Sequence, residues 1–508
     1  MEHTKYFLTL AIAATFCLAM VALAGPAGAQ TWIELTPAGT LPPASPPKQV
    51  QYDAANNSLI AFLPGNPANG GPAAEVWVLT NANGLGGTPT WIKLPPTGLP
   101  PADTGGESVV YDESSNRLIV YGGCFSSCGF AQSQVFVLSD ANGLGGTPAW
   151  SQSSVTNPVS RVGHTAVFDS PNNMMIAFGG HLAFFGTDHN DTRFLNNANG
   201  TLSPSTWTGL FPMGTPPGIR SAHTAVYDRS NNRMIIFGGD NLIRTCCPYN
   251  IAQYNDVWVL ANANGIGGTP TWMQLLPSGP LPNPRGSTGA GHGHSAVYDE
   301  VNNRMLVFGG VEWSNPAQDG VLLGDLWELS HANGLGGTPV WTQLSQSGAV
   351  PGPRFTHGAA FDSASQRMIA FGGRAGTGAL QSNRVWVLIL TQTVSIDIKP
   401  GILPNTIRLS KKGVTPVAIL TTATFDAATV DPGLVCFGDA EDPTQRDCTE
   451  AHATGHIKDA DGDGDLDLVL HYETLQTGID LGDTHACLTG ETFGGQKIEG
   501  CDSVITLP

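Results

Sequence analysis

One pattern of apolar and polar residues recurs along most of the chain. At residues 223–239 a short β-prone stretch, HTAVY, is followed by the polar turn formers DRSNN and by the apolar run MIIF, which ends at Gly238-Gly239. An apolar run bounded by turn residues is typical of a strand buried on both faces. Each copy therefore predicts a β-hairpin whose second strand is fully buried. The copies begin at Val50 (in a weaker form), Glu107, His164, His223, His294 and His357.

A second module alternates with the first. It begins at Glu75 as EVWVLTNANGLGGTPTWIKL, and similar copies begin at Gln134, Asp256 and Asp325. Each copy predicts two strands, because the Asn, Gly and Pro residues between the apolar stretches favour a turn. Two hairpins give four antiparallel strands per repeat of roughly sixty residues. Such a repeat is typical of a protein built from similar β-sheets.

Together these modules resemble the kelch repeat. The resemblance rests on the Gly-Gly pairs and on two sets of Trp residues in the strands that follow: Trp77, Trp258, Trp327 and Trp386, then Trp91, Trp150, Trp207, Trp272 and Trp341. The first copy departs from it, with Leu63-Pro64-Gly65 in place of Gly-Gly. The resemblance implies an all-β fold, a six-bladed kelch-type β-propeller over residues 30–391.

The sixth repeat lacks its last strand. It stops at RVWVLIL, residues 384–390, with no Trp strand after it, whereas TWIEL stands alone at residues 31–35. Kelch propellers are commonly closed by a strand from the other terminus. We therefore expect the N-terminal strand to complete the last blade.

Residues 1–29 predict a secretory signal peptide. Lys5 gives a weak positive start, residues 7–24 are apolar, and Ala27-Gly28-Ala29 has the small residues of a cleavage site. A membrane anchor is the alternative, but Gly25-Pro26 ends the apolar run, and no second run has the roughly 18 residues needed to span a bilayer. We expect cleavage near Ala29 and a secreted or periplasmic protein without a transmembrane anchor.

Eight cysteines follow this segment, an even number that fits an oxidising compartment. Cys436 with Cys448 and Cys487 with Cys501 are close pairs in the C-terminal part, and we expect disulfides there. Cys124 and Cys128 are close enough in sequence to form a disulfide that closes one loop. The pairing of Cys246 and Cys247 stays open, because four cysteines allow three connectivities.

Residues 392–508 predict a separate, small β-sandwich-like domain. The repeats end there, and strand-like stretches occur at residues 393–401, 414–422 and 466–473. The segment resembles a C-terminal module found on varied secreted bacterial proteins, on the stretches IDIKPG, TPVAILTT, DADGDGDLDLVLHY, ACLTGETFGG and GCDSV, and this implies an accessory role. It holds 19 acidic and 7 basic residues, a net charge of −12 within the −18 of the chain. Without a basic stripe, nucleic acid is not an expected partner.

The C-terminal segment contains a candidate calcium loop, DADGDGDLD. Its alternating carboxylates are Asp459, Asp461, Asp463, Asp465 and Asp467. Calcium takes six to eight oxygen ligands, and glycines between the acids let the loop bend around the ion. The loop begins like an EF-hand but has Leu470 at the twelfth position, so it resembles the Asp-rich calcium loops between β-strands. A solvated acidic turn is the alternative.

The start of the first strand carries a repeated arginine–histidine pair. The residues are Arg161 and His164, Arg220 and His223, Arg285 with His292 and His294, and Arg354 and His357. Around a propeller channel they could bind an anion or a metal ion. Alternatively, they tie neighbouring blades together, because repetition is typical of scaffold residues.

We expect binding on the loops between the second and third strands of each repeat, because these vary most. The recurrent ANGLGGTP loops lie on the opposite face and should tolerate change. The sequence therefore predicts an exported protein that binds a glycan or an extracellular protein. The alternative is a carbohydrate-active enzyme, oxidase-like or sialic-acid-epimerase-like, at the channel mouth, although no nucleophile elbow or zinc-protease motif is present.

Overall fold

The computed structural model of the chain describes residues 30–508, apart from 45–48, 66–72, 103–104, 125–130, 183–188, 244–249, 287–292, 314–319, 376–379, 411 and 423. The predicted signal peptide, Cys128, Cys246, Cys247 and His292 lie outside the described residues. The described residues form β-strands and short 3₁₀ helices, the latter at Ala54–Asn56, Ala427–Thr429, Pro432–Leu434, Pro443–Gln445 and Thr474–Gln476. Within that part of the chain, no helix is long and apolar enough to cross a bilayer.

Six sheets, each with four antiparallel strands side by side, contain most of the strands described before Leu390. Sheet 1 contains Gln49–Asp53, Ser58–Leu63, Glu75–Thr80 and Thr90–Lys93. Sheet 2 contains Ser108–Asp112, Arg117–Tyr121, Val135–Ser139 and Ala149–Gln152. Sheet 3 contains Thr165–Asp169, Met174–Phe178, Thr192–Asn196 and Ser205–Leu210, with the short parallel strand Val155–Thr156 at its edge.

Sheets 4 to 6 repeat this arrangement. Sheet 4 contains Thr224–Asp228, Arg233–Phe237, Val257–Ala261 and Thr271–Leu275. Sheet 5 contains Ser295–Asp299, Arg304–Glu312, Val321–Ser330 and Val340–Leu344. Sheet 6 contains Gly358–Asp362, Arg367–Phe371, Val385–Ile389 and Gln30–Leu35, with the short parallel strand Gln346–Gly348 at its edge.

The N-terminal strand is the fourth strand of sheet 6. It pairs antiparallel with Val385–Ile389, so that Trp32 lies opposite Leu388 and Leu35 lies opposite Val385. The Trp32 side chain is 1% exposed, and its indole N–H donates to Oε1 of Gln346 at 2.8 Å. Residues from the two ends of this part of the chain thus share one sheet.

The second strand of each sheet is buried because both of its faces pack against neighbouring sheets. Successive side chains of a strand point to opposite faces. In sheet 1, Leu59 and Ala61 therefore join an apolar cluster with sheet 6, whereas Ile60 and Phe62 join one with sheet 2. Corresponding clusters lie between sheets 2 and 3, 3 and 4, 4 and 5, and 5 and 6.

The Asn-Gly loops between the third and fourth strands hold neighbouring sheets together. In each, a buried asparagine donates from Nδ2 to the aspartate that ends the first strand of the preceding sheet. The pairs are Asn142–Asp53 at 2.7 Å, Asn199–Asp112 at 2.8 Å, Asn264–Asp169 at 2.6 Å, Asn333–Asp228 at 2.7 Å and Asn83–Asp362 at 2.7 Å. The expectation that these loops tolerate change is therefore wrong for their asparagines, because a lost amide leaves a buried carboxylate short of a donor.

The C-terminal domain contains two further four-stranded sheets. One is formed by Thr391–Thr393, Lys497–Ser503, His485–Glu491 and Cys436–Asp439, the other by Ile396–Ile398, Val414–Ile419, Asp467–Glu473 and His456–Lys458. Thr406–Arg408 pairs with Ile505–Leu507 in a two-stranded sheet. A single apolar cluster contains residues of both large sheets, for example Leu470 and Tyr472 from one and Phe437 and Leu488 from the other.

Two disulfides cross-link the chain within this domain. Cys436 bonds Cys448, and Cys487 bonds Cys501, as the sequence predicted. Cys487 and Cys501 lie directly opposite each other on adjacent strands of the same sheet. Cys124 is also part of a disulfide.

Candidate functional site

The arginines that precede the first strands are buried and bind carboxylates of their own sheet. Arg220 donates from both terminal nitrogens to Asp256 at 2.7 and 2.9 Å, and Arg285 does the same to Asp325 at 3.0 and 2.9 Å. Arg161 binds Asp191 at 2.6 Å. These acids were not predicted as partners from the sequence, although Asp256 and Asp325 begin two copies of the second module.

The arginines also lower the pKa values of their partners. Burial of the Asp256 carboxyl opposes its charged form, but hydrogen bonds and positive charge from Arg220 outweigh burial and lower the pKa. Asp325 is affected in the same way by burial and by Arg285. Each arginine further donates to the carbonyl of the first glycine of the Gly-Gly pair, as Arg220 does to Gly238 at 3.0 Å. These ion pairs thus join three segments of one sheet.

Arg354 differs from the other three. In sheet 6, Arg384 occupies the position that Asp256 and Asp325 hold in their sheets, so a carboxylate is replaced by a cation. The Arg354 guanidinium donates to the carbonyls of Gly352 and Gly372 and stacks on Trp386 at 3.9 Å. Burial, together with the charge of Arg384, lowers the pKa of Arg354 to about 10.

The histidines at the start of the first strands bridge neighbouring sheets. Each is at most 4% exposed, and its Nε2 lies within hydrogen-bond distance of a hydroxyl that begins the first strand of the preceding sheet. The pairs are His164–Ser108 at 2.8 Å, His223–Thr165 at 2.7 Å, His294–Thr224 at 3.0 Å and His357–Ser295 at 2.7 Å. These contacts support the structural alternative for the described histidines.

The Gly-Gly pairs make room for these rings. Gly179 has a φ of 69°, and a Cβ there would approach the His223 ring to 2.9 Å. The His223 ring also meets Phe178 edge-on, with centroids 5.4 Å apart. Sheet 1 lacks the glycine pair, and the next sheet has Glu107 where sheets 3 to 6 have histidine. The glycines of one sheet and the histidine of the next therefore pack together as one repeated contact.

A cavity of about 150 Å³ lies where the first strands of the six sheets meet. Every sheet contributes residues of its first strand to its wall, and His223, His294 and His357 also line it. The central wall residues are Gln51, Val109, Ala166, Ala225, Ala296 and Ala359. Small-molecule sites usually occupy about 300–1,000 Å³. This cavity is therefore narrow for a sugar or a cofactor.

The described parts of two connections between second and third strands form a platform. In sheet 4, Asp240–Ile243 pairs with Asn250–Gln253 as a separate hairpin. In sheet 5, the second and third strands themselves continue past a bulge between Phe308 and Gly310 to Glu312 and Val321. Gln253 joins these protrusions, donating to the carbonyl of Val311 at 3.0 Å and accepting from the N–H of Trp313 at 2.6 Å.

In the acidic loop, the carboxylates of Asp459, Asp461 and Asp463 offer oxygens within 4.8 Å of one another. Asp467 lies outside this group. It is fully buried, and its carboxylate accepts the N–H groups of Thr421 and Ala460, both at 2.8 Å. Burial and the neighbouring Asp463 charge raise the pKa of Asp465.

A second group of metal-ligating side chains, His452, His456 and His471, lies close to this loop. This group was not predicted from the sequence, although only three residues separate His452 from His456. Of the groups formed by described residues, these two lie in the C-terminal domain and not at the cavity between the six sheets.

Comparisons with known proteins agree on the repeats. Residues 113–292 match the family model of the KLHDC2/KLHL20/DRC7 Kelch-repeats domain. Dynein regulatory complex subunit 7 of Chlamydomonas reinhardtii is 29% identical over 30% of this chain and 11% of its own length. Rab9 effector protein with kelch motifs of Xenopus laevis is 23% identical over 45% of this chain and 56% of its own. The matched part of this chain thus spans about half the length of the Rab9 effector protein and about a tenth of the length of the dynein regulatory complex subunit.

Similar solved structures include a fungal alcohol oxidase of the AA5 family in complex with copper, with a TM-score of 0.44 and 13% identity over 95% of this chain and 100% of that chain. Another is the RAG complex with one melted and one unmelted RSS, with a TM-score of 0.41 and 13% identity over 71% of this chain and 100% of that chain. The chain is thus an all-β protein that carries kelch repeats, with residues 113–292 matching a kelch-repeats domain.

Proposed function

We propose that the six sheets are the blades of a β-propeller closed by the N-terminal strand. Three observations support this architecture. Apolar clusters join each sheet to the next, including sheet 6 to sheet 1. Asn83 of sheet 1 reaches Asp362 of sheet 6 by the same bond that links four of the other five junctions. Gln30–Leu35 pairs within sheet 6.

We further propose that the chain is an exported binding protein whose partner, an extracellular protein or a glycan, docks on the loops between second and third strands. The observation that carries this proposal is the contrast between the two faces. On one face, the Asn-Gly loops repeat the same bond from sheet to sheet, whereas the loops on the other face differ in sequence and include the Gln253-linked platform. The kelch repeats favour a protein partner. The disulfides and the apolar residues 7–24 support export.

Calcium is the proposed structural cofactor of the C-terminal domain. The carboxylates of Asp459, Asp461 and Asp463 already converge, and calcium prefers such oxygen donors. The Asp465 backbone carbonyl and Asp467 are the further proposed ligands. Asp467 would act while holding Ala460 and Thr421, because each carboxylate oxygen has two lone pairs. The ion would offset the repulsion among these acids.

The docking surface can be tested with two matched variants of sheet 5. Val321 is 53% exposed on the platform, and Val301 is 64% exposed on the turn at the opposite face. The purified chain is screened on extracellular-protein and glycan arrays, and hits are measured by calorimetry. We expect Val321→Asp to weaken binding at least tenfold and Val301→Asp to leave it unchanged.

The reverse pattern would place the binding surface on the opposite face and reject the proposal. A hit on the glycan array alone would identify a glycan as the partner class. Chemical conversion of a bound sugar would favour the enzymatic alternative over a binding protein.

A further inference from the structure

Three histidines of the C-terminal domain converge on its surface. The donor nitrogens of His452, His456 and His471 all lie within 4.8 Å of one another. Nδ1 of His452 is 3.0 Å from Nε2 of His456. The ring centroids of His452 and His471 are 4.5 Å apart. Side chains from a loop and from two strands therefore share one small volume.

The strand register places two of these rings on one face. His456 lies opposite Val469 in the antiparallel pair of His456–Lys458 with Asp467–Glu473. His471 is two residues beyond Val469, so its side chain leaves the sheet on the same face. Leu470 and Tyr472, on the other face, enter the core of the domain.

Glu450 positions the third ring. Its carboxylate is buried, with 2% side-chain exposure, and it accepts the backbone N–H groups of His452 at 2.7 Å and His471 at 2.9 Å. The N–H of Ala451 also donates to the carbonyl of His471 at 2.8 Å. The loop that carries His452 is thereby fastened to the strand that carries His471.

We propose that His452, His456 and His471 form a binding site for a divalent transition-metal ion, with Zn²⁺ as the ion that fits best. Imidazole is a common ligand of zinc, and three protein ligands with one open position are a recurring zinc arrangement. Tetrahedral ligands at about 2.0–2.1 Å from zinc lie roughly 3.4 Å apart. The three donors need to approach one another by about 1.4 Å at most, and His452 and His456 are exposed side chains that can turn.

Glu450 also supplies the second contact that ligating histidines usually have. It does so for His471, whose Nδ1 lies 3.6 Å from Oε1 of Glu450, so that Nε2 of this ring is left for the metal ion. A carboxylate beside a ligating ring fixes the ring orientation and adds negative charge near the cation. The site differs in chemistry from the acidic loop at the tip of the same hairpin, since nitrogen donors select transition metals and carboxylates select calcium.

The test measures zinc binding to the untagged, purified chain in buffer that contains calcium. Calorimetry should show one zinc ion per chain at this site, and Co²⁺ should give the intense visible absorption of a four-coordinate ion. We expect His452→Ala and His471→Ala each to weaken Zn²⁺ binding at least tenfold and to abolish the Co²⁺ spectrum. Both readouts should be unchanged in His485→Ala, which removes an exposed histidine of the same domain.

Two further variants keep the proposal falsifiable. Asp461→Ala should leave zinc binding intact, and if it abolishes binding the acidic loop holds the zinc and the proposal fails. The triple variant His452→Ala, His456→Ala, His471→Ala is compared with the unaltered chain by circular dichroism and thermal melting in chelator. If it is folded and binds zinc with unchanged affinity, the histidines are not the ligands. Absence of binding at millimolar Zn²⁺ by the unaltered chain would overturn the proposal as well.

Discussion

At the scale of single residues, buried polar side chains make specific hydrogen bonds between neighbouring sheets. Four sheets have a histidine before the first strand, and sheet 2 has Glu107 at that position. Glu107 is fully buried, and desolvation raises the pKa of its carboxyl from 4.5 to about 7. The one departure from the histidine pattern among these sheets therefore places an ionisable acid inside the fold.

Replacement of Glu107 should change the pH dependence of stability. Because the pKa of Glu107 is higher in the folded chain, its carboxyl keeps a proton between pH 4.5 and 7, whereas the same carboxyl in the unfolded chain loses it. The contribution of Glu107 to stability is therefore full below pH 4.5 and is lost as the pH rises through 7. Glu107→Gln should be more stable than the unaltered chain at pH 8 by roughly 1–3 kcal/mol, with little difference at pH 4.5.

Urea denaturation at both pH values measures this difference. Glu113→Gln, which changes an exposed acid of the same sheet, is the control and should shift neither curve. If the two Glu107 forms differ equally at pH 4.5 and pH 8, the carboxyl does not titrate as argued.

Loss of the Asn83 side-chain amide should weaken the junction between sheet 6 and sheet 1. Its amide donates to Asp362 at 2.7 Å across residues far apart in the chain. Asn83→Ala should destabilise the fold by roughly 1–3 kcal/mol, the usual effect of leaving a buried polar partner without its donor. Thr88→Ala, an exposed change in the same loop, is the control in chemical denaturation. Equal midpoints for the two variants would show that the bond contributes nothing.

At the scale of elements, the N-terminal strand completes sheet 6. Gln30–Leu35 covers the edge of Val385–Ile389 and places Trp32 in the cluster between sheets 5 and 6. Without it, an apolar strand edge would be open to solvent and to other chains.

Removal of residues 30–35 should therefore destabilise the repeat region strongly and promote aggregation. Trp32→Ala is the milder variant and should cost about 3–5 kcal/mol, since it leaves a cavity in a buried cluster. Thermal unfolding monitored by near-UV circular dichroism measures both. Thr31→Ala, at an exposed position of the same strand, is the control. Unchanged melting of Trp32→Ala would contradict the proposed closure.

At the scale of the whole molecule, a calcium ion in the acidic loop should stabilise the C-terminal domain. A hundredfold excess of calcium over the dissociation constant would add about 2.7 kcal/mol to the free energy of unfolding. We expect calcium to raise a melting transition of the full chain, and Asp461→Ala to abolish that rise. Asp480→Ala, an exposed acid of the same domain outside the loop, should preserve it. Identical melting in calcium and in chelator would show that the loop is a solvated acidic turn.

The features that were predicted from the sequence are those encoded by neighbouring residues. The apolar run of residues 234–237 lies within the buried strand Arg233–Phe237, as its flanking turn signals predicted. The close pairs Cys436–Cys448 and Cys487–Cys501 are bonded. The kelch repeats are supported by the family match. Each of these depends on spacing within a few residues, which a single sequence displays directly.

Contacts between distant residues could not be predicted in this way. Arg220 and Asp256 both stood out by position, but only the folded sheet shows that they form one ion pair. The role of Asn83 was missed because its partner is 279 residues away in the chain.

Taken alone, the amino-acid pattern determined the hairpins, the burial of the second strands and the acidic loop, because alternation, turn residues and charge are local properties. The tertiary structure decided which of the polar residues face solvent and which face a partner. It turned the histidines before the first strands toward hydroxyls of the preceding sheet, as in His223 with Thr165. It also brought His452 and His456 to His471, because strand register and the Glu450 anchor are set only when the two strands pair.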